Sequence, residues 1–380
     1  MNMNRLKEFY KGKRVLVTGH TGFKGAWMLS VLKECGAIIT GYALTPPTQQ
    51  SLFNMLGYDT DADINNVYAD VRDHNTMKAA FDKAQPEIVI HMAAQPIVRE
   101  SYRDPVGTYG TNVMGTVNVL ECVRLTESVK SFVNVTTDKV YKNGERAEGY
   151  REDEELNGYD PYSNSKSCSE LVTDSYRKSF FIDEKSGGSI LPSGRVVAIS
   201  TMRAGNVIGG GDFAKDRIIP DCIRAAMTGK DIIVRNPYST RPYQHVLEPV
   251  CMYLYVAMRQ YEDASYAGAY NIGPRDEDAW TTGEMATLFC DAWNKAVGDK
   301  LIKWVNKSDN GPHEATYLKL DINKVKDTFG WEPRWSVSEA MEKIIEWTIG
   351  CSDGKTWTDD SETVKSVVKT QIEEYLKQDL

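Results

Sequence analysis

Long apolar runs and a secretory leader are both missing from this sequence. No apolar stretch reaches the roughly 20 residues that a membrane-spanning helix needs. The first residues, MNMNRLKEFYKGKR, are charged and lack an apolar centre, so they do not have the pattern of a signal peptide. We therefore expect a soluble protein.

Cysteine is scarce and scattered, and no Cys-x-x-Cys pair occurs. An odd, dispersed set of cysteines argues against a disulfide framework and against a zinc site, and it favours free thiols in a reducing compartment. We therefore expect a cytoplasmic protein that binds no metal. The seven positions are Cys35, Cys122, Cys168, Cys222, Cys251, Cys290 and Cys351.

An excess of positive charge is absent as well. The 380 residues include 45 basic and 53 acidic side chains, which gives a net charge of −8. This balance argues against nucleic acid or an anionic membrane as the main partner, although a local basic pocket for a phosphorylated small molecule remains possible. Hydrophobic residues make up 41% of the chain, which is an ordinary globular composition for one large domain or two modest ones.

Short apolar strands alternate with helical segments through the first half of the chain. Continuous apolar strands separated by helices indicate a parallel sheet that is buried on both faces. The sequence therefore predicts an α/β protein with a doubly wound parallel sheet of the Rossmann type and a smaller C-terminal α/β substrate lobe. The predicted strands cover residues 14–18, 37–44, 67–69, 87–91, 131–136 and 196–203.

The chain is expected to divide into three parts. A Rossmann-type domain covers residues 1–204, with returning elements at about 246–272. A substrate-binding lobe, interleaved with the first domain, covers residues 205–350. Residues 351–380 form a C-terminal tail, in which 363–376 have the pattern of an amphipathic helix.

A glycine-rich turn, Gly19-His20-Thr21-Gly22-Phe23-Lys24-Gly25, follows the first predicted strand and opens a helix. Glycines permit a tight turn and close approach of the backbone, and the helix N-terminus offers free N–H groups to a pyrophosphate. The position after a strand favours dinucleotide binding over a plain strand-to-helix turn without a ligand. Residues 41–47, after the second strand, contain neither an acid nor an arginine, so NAD is preferred, while Lys24 remains a possible partner for a 2′-phosphate.

Further cofactor contacts are expected at the ends of the next strands. Asp70, after the third strand, is a candidate adenine contact, although a turn acid or helix cap is an equal alternative. Asn112 lies in a long helical pattern over residues 108–125. It either supports Lys166, a candidate catalytic lysine, through water or is an ordinary polar helix residue. The complete predicted set is Gly19, His20, Gly22, Phe23, Lys24, Gly25, Asp70, Val71, Ala93, Ala94, Asn112, Tyr162 and Lys166.

Tyr162 and Lys166 are the strongest candidates for catalysis. On a helix over residues 162–181 the two side chains lie four residues apart and share one face. A tyrosine with a free pKa of about 10 needs a nearby positive charge before it accepts a proton near neutral pH, and lysine one turn away supplies it. The alternative, a solvated helix face, is less compatible with the glycine turn upstream.

Thr137, Asp138 and Lys139 follow the fifth predicted strand, at the edge where ligands bind in doubly wound sheets. The threonine hydroxyl is expected to share a hydrogen bond with the substrate. A carboxyl group and an amine beside an oxidised sugar suit a second step, the acid/base elimination of water. The alternative is an exposed Asp-Lys pair of the kind common on loops.

With these motifs the chain resembles the extended short-chain dehydrogenase/reductase family over residues 10–350, and within it the CDP-glucose 4,6-dehydratases. Two long motifs make the resemblance specific: Arg203-Ala204-Gly205-Asn206-Val207-Ile208-Gly209-Gly210-Gly211-Asp212 and Arg241-Pro242-Tyr243-Gln244-His245-Val246-Leu247-Glu248-Pro249. The glycine turn, Thr137-Asp138-Lys139 and Gly158-Tyr159-Asp160-Pro161-Tyr162-Ser163 also match.

The resemblance implies a cycle of oxidation at carbon 4 of the sugar, loss of water across carbons 5 and 6, and hydride return to carbon 6. Tyr162 takes the carbon-4 hydroxyl proton, and Asp138 is the acid for the leaving hydroxyl. Related dTDP-glucose enzymes have a glutamate where this chain has Lys139, which serves as the carbon-5 base only when it is neutral.

The resemblance also assigns substrate contacts and an assembly. It implies that Asn206, Arg235 and Arg241 surround the diphosphate, because the arginine fork suits phosphate oxygens. His313 is a further candidate, whereas His245 is better explained as a structural residue. A homodimer through helices at 105–125 and 163–181 is implied. The rival functions are a nucleotide-sugar epimerase, which has no need of Asp138-Lys139, a dehydratase of another hexose or heptose, and a non-catalytic NAD-binding protein.

Overall fold

The protein is described by a computed structural model that covers residues 3–183, 188–298, 301–307 and 317–377. Its centre is a seven-stranded sheet with the order β10-β6-β5-β4-β1-β2-β3, in which every neighbouring pair is parallel. The strands are β1 Arg14–Thr18, β2 Ile38–Ala43, β3 Ile64–Tyr68, β4 Ile88–His91, β5 Ser131–Val135, β6 Ala198–Ala204, β7 Asn206–Ile208, β8 Ile232–Val234, β9 Thr240–His245, β10 Ala269–Ile272, β11 Ala279–Thr281 and β12 Trp304–Asn306.

Helices cover both faces of this sheet. The predicted doubly wound α/β architecture is therefore confirmed, and the six predicted strands correspond to β1 through β6. The helices are α1 Met3–Tyr10, α2 Phe23–Glu34, α3 Leu52–Met55, α4 His74–Ala84, α5 Val98–Arg103, α6 Pro105–Tyr109, α7 Gly115–Leu125, α8 Pro161–Tyr176, α9 Ile218–Met227, α10 Leu247–Glu262, α11 Thr282–Val297, α12 Asn323–Phe329, α13 Val337–Gly350 and α14 Ser361–Lys377.

The strands are apolar without interruption because alternate side chains enter two different cores. In β1, Val15 and Val17 join the core beneath α2 and α10, whereas Leu16 joins the core beneath α4 and α7. β4 repeats the pattern with Ile88 and Ile90 on one side and Val89 on the other. Burial of both faces is the reason that these strands lack the polar alternation of a half-exposed sheet.

A second, smaller region follows the sheet along the chain. A three-stranded sheet with the order β11-β9-β7 and a two-stranded sheet, β12-β8, pack with α9, α11 and α13 around a separate apolar core. α10 and β10 return to the large sheet, where β10 is an edge strand beside β6. The predicted limits of 1–204, 205–350 and 351–380 remain a prediction that this arrangement supports.

The two long helices that carry predicted site residues each contain a π-helical turn. α6 runs through the π-helical segment Gly110–Met114 into α7, and α8 continues into the π-helical segment Arg177–Phe181. α8 starts where the Asp160 side chain caps the N–H group of Ser163 and Pro161 occupies the first turn. Within the described ranges, no helix is both long and apolar enough to cross a membrane.

Candidate active site

The glycine turn joins the end of β1 to the start of α2. Gly19 has a φ of +76°, and a Cβ there would lie 2.7 Å from the backbone nitrogen of Ala93. A Cβ on Gly25 would lie 2.6 Å from the carbonyl carbon of His20, so the helix packs directly on the turn. Gly22 is the N-cap residue of α2 and gives no side-chain hydrogen bond. The first N–H groups of α2 therefore suit a pyrophosphate, and the turn fits a dinucleotide.

Two polar residues of the turn have different surroundings. His20 is buried, its Nε2 lies 3.0 Å from Asn66 Oδ1, and burial lowers its pKa to about 4. Lys24 is the second residue of α2 and lines the same cavity as Lys139 and Tyr162. The sequence leaves open whether Lys24 contacts the 2′-phosphate of NADP. Its position in the crevice with Lys139 and Tyr162 does not match that contact.

The other predicted cofactor residues lie along the same edge of the sheet. Ala93 N donates to Thr18 Oγ1 at 3.1 Å, which holds the start of the segment containing Ala94 against the glycine turn. Asp70 accepts hydrogen bonds from the backbone and side chain of Arg72, as a turn acid does, and Val71 is buried behind it.

Asn112 lies in the π-helical turn between α6 and α7. Its amide donates to Gln95 O at 3.1 Å and to Ser165 Oγ at 2.9 Å, and its Oδ1 accepts from Gln95 N at 2.8 Å. It thus connects the segment after β4 to the helix that carries Lys166.

A cavity of about 640 Å³ opens at the carboxyl edge of the sheet and extends to the smaller region. Thr137, Lys139 and Tyr162 line one part of it. The candidates for diphosphate binding line another part. The lining therefore combines three of the predicted catalytic residues with Asn206, Arg235 and Arg241, whereas Asp138 and Lys166 are not part of it.

Tyr162 is 9% exposed and stands on the first turn of α8. Burial raises the pKa of its phenol to about 12, which a hydrogen bond with Thr137 opposes. Without a ligand the phenol is therefore protonated at neutral pH. A proton-accepting role requires additional positive charge, such as the ring of an oxidised nicotinamide.

Lys166 lies one helical turn further along α8 and is 4% exposed. Its ammonium donates to the carbonyl oxygen of Val135, at the end of β5, at 3.1 Å. Burial lowers its pKa to about 8, and the carboxylate of Glu170 opposes that effect. The lysine is thus anchored between the helix and the strand end that carries Thr137.

Thr137, Asp138 and Lys139 form a compact acid/base group. Asp138 is fully buried, and its Oδ1 accepts from Thr137 Oγ1 at 2.8 Å and from Lys139 Nζ at 3.3 Å. Within the described part of the chain, no partner reaches the other carboxyl oxygen, Oδ2. A buried carboxyl oxygen without a partner is costly, which marks it as a group reserved for a ligand.

The candidate diphosphate residues are held by acids and backbone carbonyls. Arg235 contacts Asp216 at 2.5 Å and Asp221 at 3.5 Å, and Arg241 donates to Thr240 O at 3.0 Å. Asn206 Oδ1 lies 3.4 Å from Lys139 Nζ, so it connects this part of the cavity to the acid/base group.

Of the two histidines named from the sequence, the structure describes only one. His313 falls outside the described residues. His245 is buried, and its ring makes edge contacts with Trp27 and Trp335, at centroid distances of 5.9 and 4.7 Å. The expectation that His245 is structural agrees with this packing.

Four residues near the crevice were not predicted from the sequence. Arg217 lines the cavity, and the hydroxyl of Tyr253 is buried behind it with no partner among the described residues. Glu170 and Arg203 form a buried ion pair beneath the crevice. Glu170 could have been found from the sequence, because it lies one helical turn after Lys166 on the same face of the predicted helix.

Comparisons with known proteins agree with this geometry. A family profile described as GDP-mannose 4,6 dehydratase matches residues 16–344. A CDP-glucose 4,6-dehydratase from Salmonella typhimurium is 48% identical over 345 residues, which cover 90% of this chain and 92% of that protein. A dTDP-glucose 4,6-dehydratase from Streptomyces antibioticus is 26% identical over 90% of this chain and 93% of that protein.

Solved structures show the same fold at low sequence identity. The dTDP-glucose 4,6-dehydratase from Bacillus anthracis in complex with NAD gives a TM-score of 0.71 at 20% identity, covering 91% of this chain and 99% of that one. The UDP-glucose 4-epimerase complex with NAD from Thermus thermophilus gives a TM-score of 0.72 at 22% identity, covering 89% of this chain and 100% of that one.

Proposed function

Because this chain belongs to the GDP-mannose 4,6 dehydratase family, we propose that it is an NAD-dependent nucleotide-sugar 4,6-dehydratase whose substrate is CDP-glucose. The product is CDP-4-keto-6-deoxyglucose. The observation that carries the proposal is the ion pair of the buried Asp138 with Lys139, which lines the same cavity as Tyr162, because hydride transfer alone needs no such pair. The choice of CDP-glucose rests on the 48% identical relative.

The first step is oxidation at carbon 4. The glycine turn and the N-terminus of α2 would hold NAD, which would supply the hydride acceptor for this step and the hydride donor for the last. Tyr162 accepts the proton of the carbon-4 hydroxyl, and Thr137 orients both groups. Burial raises the pKa of the phenol to about 12, and the positive charges of Lys166 and of a bound nicotinamide would oppose that effect.

The second step is the loss of water across carbons 5 and 6. The carbon-4 ketone acidifies the carbon-5 hydrogen, Lys139 removes that hydrogen as a proton, and Asp138 gives a proton to the departing carbon-6 hydroxyl. One proton transfer across the 3.3 Å contact converts the ion pair into a neutral amine and a carboxylic acid, which are the two forms that the step requires. Hydride return to carbon 6 and reprotonation of carbon 5 by Lys139 give the product. The proton that Tyr162 took from the carbon-4 hydroxyl then passes to Lys139, which restores the starting protonation states.

The nucleotide is assigned to the other part of the cavity. Arg235 and Arg241 bind the diphosphate, and their present partners, Asp216 and the carbonyl of Thr240, hold the guanidinium groups in place until it arrives. Asn206 contacts the sugar or the diphosphate from its position beside Lys139.

We also infer a cytoplasmic homodimer. All seven cysteines are unpaired, as suits a reducing compartment. α8 packs against α6 and α7, and large apolar side chains are exposed on these helices. Val106 is 82% exposed, Met114 53% and Leu171 55%, which supports an interface along the predicted helices.

A direct test is incubation with CDP-glucose and NAD, followed by measurement of the alkaline absorbance of a 4-keto-6-deoxy product. Tyr162→Phe is the matched variant, because it removes one hydroxyl, and we expect a loss of about 100-fold or more in rate. A sugar with inverted ring stereochemistry and no 4-keto product would favour an epimerase. Turnover that is unchanged in Tyr162→Phe would contradict the proposed base.

A further inference from the structure

A buried ion pair lies beneath the crevice, outside the cavity lining. Arg203 Nη2 in β6 is 2.9 Å from Glu170 Oε2 in α8, and the two side chains are 4% and 2% exposed. Burial of two charges carries a desolvation penalty that the attraction between them often fails to exceed. Stability alone therefore does not explain why this pair is present, and the residues that it contacts suggest another reason.

On the side of the active site, the pair contacts the elements that carry the catalytic residues. Thr136, the residue before Thr137, donates its hydroxyl hydrogen to Glu170 Oε1. Glu170 also lies four residues after Lys166 on the same face of α8. The carboxylate therefore links the end of β5 to the helix of the catalytic tyrosine and lysine.

On the other side, the pair is itself fixed in place. Arg203 Nη1 donates to Tyr141 OH at 2.8 Å and to Glu152 O at 3.0 Å. The Tyr141 hydroxyl donates in turn to Asn271 Oδ1, in β10, at 2.7 Å. The carboxylate of Glu170 is thus attached through Arg203 to an edge strand of the large sheet.

We propose that Glu170, held by Arg203, is a positioning residue that keeps Lys166 protonated beside Tyr162 and fixes the strand end that carries Thr137 and Asp138. The inference deepens the proposed function and rests on it. Glu170 has no contact with the substrate or the cofactor in this account and acts through Lys166 and Thr136.

The charged and titratable groups around Lys166 identify Glu170 as the anion that favours its protonated form. From β4, His91 is buried between Thr18 and Thr116, and its pKa is lowered by burial to about 3, so it is neutral. From α2, Lys24 lies within electrostatic range of Lys166, but its own pKa is lowered to about 7, by burial first, so it is largely neutral on the alkaline limb. Ser165 and Asn112, on the remaining side, are uncharged.

The test is the pH dependence of kcat in Glu170→Gln. Without the carboxylate, Lys166 loses its proton at a lower pH, so the alkaline limb of the profile moves to lower pH by about one unit, the low end of the effect of a neighbouring charge. We expect kcat to fall by about tenfold on the alkaline side of the limb, where one pKa unit is a factor of ten, and by only about twofold at pH 7, while KM changes little. Glu155→Gln, which alters an exposed ion pair with Lys142, should leave the profile unchanged.

Glu170→Gln also leaves a buried guanidinium without its anion, so a second variant separates electrostatics from folding. The double variant Glu170→Met/Arg203→Met removes both charges and avoids the unpaired arginine. We expect it to keep the shifted alkaline limb. Glu170→Asp, which retains the charge, should keep the wild-type limb even with slower turnover.

Two results overturn the inference. One is an unshifted alkaline limb in a folded Glu170→Gln, and the other is a wild-type limb in the double variant, which would make the pair purely structural. Failure of the proposed function is distinguishable, because the wild-type protein would then form no 4-keto-6-deoxy product from CDP-glucose.

Discussion

At the scale of single residues, the surroundings of Asp138 separate this crevice from a plain hydride-transfer site. One carboxyl oxygen is engaged by Thr137 and Lys139, while the other is buried with no partner among the described residues. That arrangement leaves one carboxyl oxygen open to a hydrogen-bond donor and places an amine beside the other. It therefore supports elimination of water as well as oxidation.

Asp138→Asn should uncouple the two steps. Asparagine retains an oxygen that accepts from Thr137 but has no carboxylic proton, so we expect oxidation at carbon 4 to continue while product formation falls by about 10²–10⁴-fold. Reduced cofactor should then accumulate on the protein and be visible by its absorbance. Asp153→Asn, an exposed acid with 75% of its side chain accessible, is the control. Equal losses in both variants would remove Asp138 from the mechanism.

Lys24 offers a pH-dependent prediction at the same scale. Burial, together with Arg217 and Lys166, lowers its pKa from 10.5 to about 7. Between these values the unfolded chain binds more protons than the folded one, so the folded state gains stability as pH rises through that window.

Lys24→Met removes this linkage. The variant should melt above the wild type at pH 7, by no more than a few degrees, and the difference should shrink toward pH 10. Scanning calorimetry at several pH values measures it, with the exposed Lys83→Met as control. A difference that does not change with pH would mean that Lys24 is not a buried, deprotonating amine.

At the scale of elements, the C-terminal helix α14 is part of the packed structure. Val364, Val368, Ile372 and Leu376 recur at helical spacing and are buried against α2 and α13. Tyr375 adds a polar anchor, because its hydroxyl donates to the buried Glu248 carboxylate at 2.7 Å. The predicted helix over 363–376 is present as Ser361–Lys377.

Ile372→Ala should therefore destabilise the whole protein. Truncation of a fully buried isoleucine costs about 2–5 kcal/mol, which denaturant or thermal unfolding would measure. Thr370→Ala, on the exposed side of the same helix, should cost less than 1 kcal/mol by the usual effect of surface substitutions. Equal effects in the two variants would show that α14 is only loosely attached.

The elements also show what local pattern predicts and what it does not. The first six strands follow from β-branched apolar runs, and α8 follows from Asp160 and Pro161 at its start. β7, in contrast, lies in a glycine-rich motif with no local strand pattern, because its pairing with β9 joins residues far apart in the chain. The Glu170–Arg203 pair is non-local in the same way, since no local signal pairs positions 33 residues apart.

At the scale of the whole molecule, the cavity depends on contributions from both regions of the chain. The segment after β5 and the start of α8 contribute Thr137, Lys139 and Tyr162 to its lining, and the smaller region contributes Arg235 and Arg241. The sequence motifs imply that the catalytic candidates and the two arginines lie close together. The distances between them depend on how α9 and β9 pack beside the large sheet, which the motifs do not give. The apolar face of α6, α7 and α8 extends the account to a second subunit.

Leu171→Glu should convert the proposed dimer into monomers, because it places a charge in the centre of an apolar interface. Sedimentation or light scattering measures the mass. Ile349→Glu is the matched control, since Ile349 is a 42% exposed apolar residue on α13, away from those helices. A wild-type protein that is monomeric at micromolar concentration would contradict the interface.

The most direct test of the account follows a single hydrogen through the reaction. CDP-glucose that carries deuterium at carbon 4 is incubated with the protein and NAD, and the product is examined by NMR spectroscopy. The account predicts a 4-keto-6-deoxy sugar with the deuterium in its carbon-6 methyl group. Deuterium that remains at carbon 4 of an epimerised sugar, or that is lost to solvent, would contradict it.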